Sequence, residues 1–220
     1  MDYGNMVGDS FAFAKDSVIG KWMQWLLLII ATVLLTIPLL GYSLKIFRGE
    51  KPAPEVDGWG TLIIDGIKYA IISIIWALPC LIIFFLALGS LVAALLSGDT
   101  GAIVGFIGGA IVGFVLFIIV AIITGLLATI GIIRFARTGS MGEAFNFGAI
   151  LETLGKIGWG SYIIAMIVLF VIELIFFGII EVFNMIIPFL GLLVEIILFA
   201  PFTIFMARYM CQIYDAAGTA

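Results

Sequence analysis

GIIRFARTGSMGEAFNFGAILETLGKIGWG, residues 131–160, decides how this chain is read. A long apolar run ends in Arg134 and Arg137. Gly139, Ser140 and Gly142 then break it. A short segment with one apolar and one polar face follows, and a second apolar run opens at Trp159. Basic residues closing an apolar run, a glycine break and an amphipathic stretch mark a chain that leaves a bilayer, lies along its surface and enters it again. Weaker copies of the arrangement stand earlier, at 10–22 and 58–69.

Composition points the same way. Of 220 residues, 64% are hydrophobic and 11% charged, against about 25% charged in soluble domains. A single core of this size could not hide so much apolar surface from water, which leaves the membrane class. The longest polar stretch lies near Arg48–Gly60, too short for a separate soluble domain. The chain therefore reads as one integral membrane domain over 1–220, in three sections, 1–57, 58–138 and 139–220. The net charge of −4 says little when most of the surface faces lipid. The first apolar run starts only at Trp22, after Asp2, Asp9 and Asp16. It is longer than the 7–15 residues typical of a signal peptide and has no small-residue cleavage box, so it reads as a retained anchor.

A hydrocarbon layer about 30 Å thick takes about 20 residues of helix. Five stretches qualify: 22–45, 69–96, 101–134, 158–182 and 185–209. Helices are required because lipid offers no partner for open backbone groups, and the runs are continuous rather than alternating as barrel strands would be. The expected fold is all-α, a polytopic bundle of about five transmembrane helices with interfacial amphipathic elbows. The third stretch is too long for one straight crossing and must tilt, bend at Gly125 or Gly131, or project beyond the bilayer. Pro38, Pro79, Pro188 and Pro201 mark further irregularities. Tight turns are expected at 97–100 and 183–187, both without Lys or Arg. Lys45, Arg48, Lys51, Lys68, Arg134, Arg137, Lys156 and Arg208 collect at the other ends. The positive-inside rule makes that side cytoplasmic, and the C-terminus with it, in a plasma membrane. Five crossings then place the N-terminus outside although it carries Lys15 and Lys21. A re-entrant hairpin over 22–45, broken at Pro38, would keep it inside, and the sequence leaves both arrangements open.

Three amphipathic stretches precede the spans. Phe11, Ala14, Val18 and Trp22 share a face in the first. Trp59, Leu62, Ile63 and Ile67 do so in the second, with Asp65 and Lys68 off it. Phe147, Ile150, Leu151 and Leu154 form the third face, opposite Asn146, Glu152, Thr153 and Lys156. The second and third stretches each continue into a two-span hairpin, a parallel duplication of one unit. Inverted repeats, the commoner mark of secondary transporters, are not evident.

Two passages resemble a known family. GYSLKIFRGEKPAPEVDGWGTLIIDGIKYAIIS (41–73) looks like the first loop, and RFARTGSMGEAFNFGAILETLGKIGWGSYI (134–163) like the second signature, of an uncharacterised prokaryotic membrane family, mainly archaeal, described only as a domain of unknown function. Val56 departs from it, since such loops more often carry an aromatic there. The resemblance implies the architecture and an archaeal source and transfers no activity.

Several features could carry function. Gly101, Gly105, Gly109 and Gly113 recur every four residues, so they form a row on one helix face where another helix can approach closely. That helix could belong to a second copy or to the same chain. Glu173, Glu181 and Glu195 sit in the last hairpin with no base on their side of the membrane. They read either as a proton or cation site or as neutral hydrogen-bonding groups. Lys45, Arg48, Arg134, Arg137 and Arg208 read as topology-setting charges that reach lipid headgroups. Trp22, Trp25, Trp59 and Trp159 read as an interfacial belt. Cys80 and Cys211 read as small buried hydrophobes. There is no histidine, and no phosphate loop, nucleophile elbow or metal-ligand spacing. The expectation is a non-enzymatic membrane protein that assembles or organises within the bilayer, its partners being lipids and copies of itself. Neither a cofactor nor nucleic acid is expected, and no soluble partner can be named. The alternative is a small proton- or cation-coupled transporter or channel using the glutamates.

Overall fold

The computed structural model describes residues 1–187 and 189–218. Pro188, expected as an irregularity early in the last span, lies outside them. The described residues are helical, with no strand among them. In chain order the helices are α1 (Tyr3–Val18), α2 (Trp22–Val33), α3 (Ile37–Phe47), α4 (Trp59–Ser97), α5 (Thr100–Thr138), α6 (Phe147–Ile157), α7 (Trp159–Ile186) and α8 (Leu190–Asp215). A 3₁₀ turn, Met141–Phe145, precedes α6. Four helices, α4, α5, α7 and α8, are long and apolar enough to cross a membrane, and a fifth span results only if α1 and α2 are counted as one bent element.

The chain forms two compact units. One contains residues 1–70 and 130–220, the other 71–129. The smaller unit is a two-helix hairpin, the continuation of α4 and α5, turned through Gly98 (φ +65°) and Asp99, whose carboxylate accepts from the Gly101 N–H at 2.8 Å. Its surface is apolar almost throughout: Phe84, Phe85, Leu96, Ile111 and Phe114 are all more than half exposed. With no water-loving face, this hairpin has lipid as its solvent. α4 and α5 have 39 residues each, about 58 Å of helix. That is far more than a bilayer needs, and the surplus length is used in the larger unit. There, Ile130, Ile132, Ile133, Phe135 and Ala136 of α5 are buried. α5 runs unbroken through Gly125 and Gly131.

The larger unit is built around α8. α7 lies antiparallel to it: Phe176 stacks on Phe202 at 3.9 Å, and the Tyr209 hydroxyl donates to Ala165 O at 3.2 Å. α7 continues through Asn184 to Ile186 and α8 begins at Leu190, so most of the expected turn at 183–187 is helix. α1, α2 and α3 also pack on α8.

Residues 22–45 are not one helix. α2 stops at Val33, Leu35 and Thr36 take left-handed backbone angles (φ +55° and +62°), and α3 starts with Pro38 in its first turn. Proline is tolerated there because that turn has no N–H bond to lose. The break precedes Pro38, where a fold-back was considered. α3 then returns: Gln24, at the start of α2, and Tyr42, well along α3, both donate to Pro54 O, at 3.2 and 2.6 Å. A single straight crossing would hold residues 24 and 42 about 27 Å apart.

The amphipathic stretches differ from one another. The first forms α1 and ends at Gly20 (φ +79°). The third forms α6 and ends at Gly158 (φ +87°). The second has no such stop and continues as the first turns of α4. Its Gly66 lies so close to α3 that a Cβ would overlap the Ile37 carbonyl, and Gly41 of α3 stands in the same relation to the Leu62 carbonyl. In α6 the expected apolar face is divided. Ile150 and Leu154 are buried together with Thr153, while Phe147 and Leu151 turn outward.

Candidate functional site

Lys15, Lys45, Arg48, Lys68, Arg134, Arg137, Lys156 and Arg208 of the larger unit each find a partner inside the chain. Lys45 pairs with Asp57, and its ammonium reaches Glu55 O at 3.3 Å. Arg48 meets Asp65 at 2.5 Å, with Lys68 3.8 Å from the same carboxylate. Asp65 was expected off the packed face; it is buried because Arg48 comes to it from α3's end. Arg134 pairs with Glu143 of the 3₁₀ turn. Arg137 donates from Nε to Phe47 O at 2.5 Å and from Nη2 to Asp215 at 2.5 Å and Cys211 Sγ at 3.2 Å, with its guanidinium 5.7 Å from the Tyr214 ring. One side chain thus ties α3, α5 and α8 together. Arg208, buried within α8, is met by Asp9 of α1 at 2.6 Å and lies over Phe13 at 5.3 Å. Gln212 adds bonds to Met6 O and Ser10 Oγ, and Tyr3 donates to Ser161 O. The first turns of α1 therefore lie beside the last turns of α8.

These pairs shift the carboxylates in the direction their charges require. The hydrogen bond from Lys45 holds Asp57 below its ordinary value. Arg134 first, then Asn146, do so for Glu143, and Lys156 does so for Glu152. The arrangement suits electrostatic locking of helix ends. No cluster of three or more metal-ligating side chains occurs among the described residues.

The glycine row lies in the smaller unit. Gly105, Gly109 and Gly113 face Ile83, Ala87 and Ser90 of α4 across a gap of about 410 Å³. A Cβ added at any of the three would have nothing within 4 Å, whereas at Gly101 it would meet only the nearby Asp99 carboxylate. The row is thus turned toward the neighbouring span without closing on it. The same unit holds Cys80, 3.8 Å from the Thr124 hydroxyl; Cys211 is buried in the larger one.

The glutamates are not brought together as a set. The Phe176–Phe202 and Ala165–Tyr209 contacts fix the register of α7 against α8. In that register Glu195 is level with Glu181, and Glu173 lies about two turns further along α7. Glu181 is exposed, Glu173 and Glu195 half-buried. Among the described residues none of the three has a hydrogen-bond or ion-pair partner. Trp22 and Trp25 stack at 5.6 Å, and the Trp25 indole donates to Ile197 O at 3.0 Å. The partners Asp9, Asp57, Asp65, Glu143 and Asp215 were missed in the sequence. Each stands near the end of an apolar run, as the bases do, and that shared placement was the available signal.

The model of one protein family, described as "Protein of unknown function (DUF4013)", matches residues 25–189. No curated protein and no solved structure matches the chain.

Proposed function

The chain belongs to the DUF4013 family of membrane proteins of unknown function, and from that premise we propose that it is a non-enzymatic protein that assembles with copies of itself through the glycine-lined face of α5. The observation that carries this is a contrast among glycines. Gly41, Gly66 and Gly131 are each pressed against a backbone carbonyl of the same chain, so their lack of a side chain is already used. Gly105, Gly109 and Gly113 are not pressed against anything, and a helix of 39 residues with an open glycine face suits a helix from outside. Apolar side chains of a second copy would fill the gap beside Ile83 and Ala87. α6, whose Phe147 and Leu151 stay outward, would rest on the lipid surface and orient the assembly. The basic face is cytoplasmic in this reading, in the plasma membrane, and carries the C-terminus with it.

Cysteine cross-linking tests it. In a background with Cys80 and Cys211 replaced, Gly109→Cys should form a disulfide-linked dimer in membranes, and Ile122→Cys, more than three turns away along α5, much less. Equal or absent cross-linking at both positions would remove the reading. The transporter alternative draws on Glu173 and Glu195, half-buried carboxylates without partners in apolar helices. It is supported less, because the register keeps Glu173 apart from the other two.

A further inference from the structure

We infer that residues 1–58 do not cross the bilayer, and that α2 lies flat in one leaflet with its outer face bedded among lipid chains. This inference does not depend on the assembly reading. α2 has 12 residues, about 18 Å of helix, well short of a hydrocarbon layer about 30 Å thick. It meets α1 at 101°, so the two cannot form a straight span.

Its two sides are sharply different. Gln24, Leu28 and Ala31 are buried on the inner side. Trp22, Leu26, Ile30 and Val33, at helical spacing on the outer side, are exposed, and the stripe continues into Leu34 and Leu35, the latter 83% exposed. Water would not tolerate such a stripe, and among the described residues nothing covers it. The flanks identify what does. α1 turns Asn5, Lys15 and Asp16 outward, a face fit for water and headgroups. Lys21 and the stacked Trp22–Trp25 pair stand at the entry to α2, and the bond from the Trp25 indole to Ile197 O sets that entry about 16 Å along α8 from Arg208, inside the bilayer and on the near side of the turn between α7 and α8. Beyond the break, α3 turns back, as the shared bonds to Pro54 O require. It leads to Lys45 and Arg48.

The element therefore enters and leaves by one face. Four crossings remain, α4, α5, α7 and α8, and all ten Lys and Arg residues fall on the same side. The conflict between five crossings and Lys15 and Lys21 disappears. A wedge in one leaflet is an interaction surface for lipid, sensitive to the packing of that leaflet alone.

The test is made on the full chain in lipid vesicles, with Cys80 and Cys211 replaced. A fluorophore is placed in turn at Met23→Cys, Ile30→Cys and Leu35→Cys and quenched by lipids labelled at graded depths. The expected result is one common depth for all three, within one helical turn, about 5 Å. A steady progression through about 18 Å would overturn the inference. A membrane-impermeant thiol reagent gives a second readout. Gly8→Cys and Ala217→Cys should label from one side and Asp99→Cys from the other; labelling of Gly8→Cys together with Asp99→Cys would also overturn it.

Discussion

Replacing Gly66 by alanine separates the two kinds of glycine in this chain. The added Cβ would overlap the carbonyl of Ile37, and behind that oxygen stands the backbone of α3, not a side chain that can rotate away. α3 has little freedom to move, since Arg137 holds its last turn through Phe47 O and Tyr42 holds its middle through Pro54 O. Forcing a methyl group into a packed contact costs about 1–3 kcal/mol. Alanine gives back about 1 kcal/mol of helix propensity; with a backbone oxygen as the obstacle the upper end of the packing cost applies, and the expected net loss is about 2 kcal/mol. Gly105→Ala meets nothing and keeps only the propensity gain. The two variants, measured side by side for thermal unfolding in mild detergent, should therefore move in opposite directions, with Gly66→Ala below the parent midpoint and Gly105→Ala at or above it. Gly66→Ala as stable as the parent would refute the packing argument.

Removing the carboxylate in Asp9→Asn leaves the buried Arg208 without its anion at a cost of about 1–3 kcal/mol. Limited proteolysis should then release α1 sooner than in the parent; equal release would show that Asp9 does not hold the helix. Glu143 has a folded-state pKa below its unfolded value, about 4.3 for a glutamate. Its contribution is complete above that value and lost as pH falls through the lower folded one, so Glu143→Gln should flatten the acid limb of a stability–pH curve and leave the neutral limb parallel. Glu173→Gln should leave vesicle proton and cation leakage unchanged, and a flux lost only in the variant would favour transport instead.

The two hairpins were legible because apolar runs of that length have one use. So was the turn at 97–100. The break after Val33 was not, because the residues that take left-handed angles there are Leu35 and Thr36 rather than glycines. Their backbone is held by packing of α2 and α3 on α8, and Pro38 marked only the restart. The continuity of 58–69 with α4 was hidden for a related reason. The stretch is amphipathic because one side packs in the protein, through Gly66 and Leu62, and an interfacial helix shows the same pattern. The ion pairs were least legible. Arg208 and Asp9 are 199 positions apart, and nothing local in either sequence context points to the other. The glycine row could be read as a row, while the gap it leaves beside α4 depended on where α4 comes to lie.

The most direct measurement is the mass of the purified protein in a lipid disc large enough for several copies, parent beside Gly105→Leu/Gly109→Leu. The account predicts a discrete oligomer for the parent and a shift to monomer for the double variant, with α-helical content unchanged. A parent that is monomeric, or an oligomer the leucines leave intact, would contradict it.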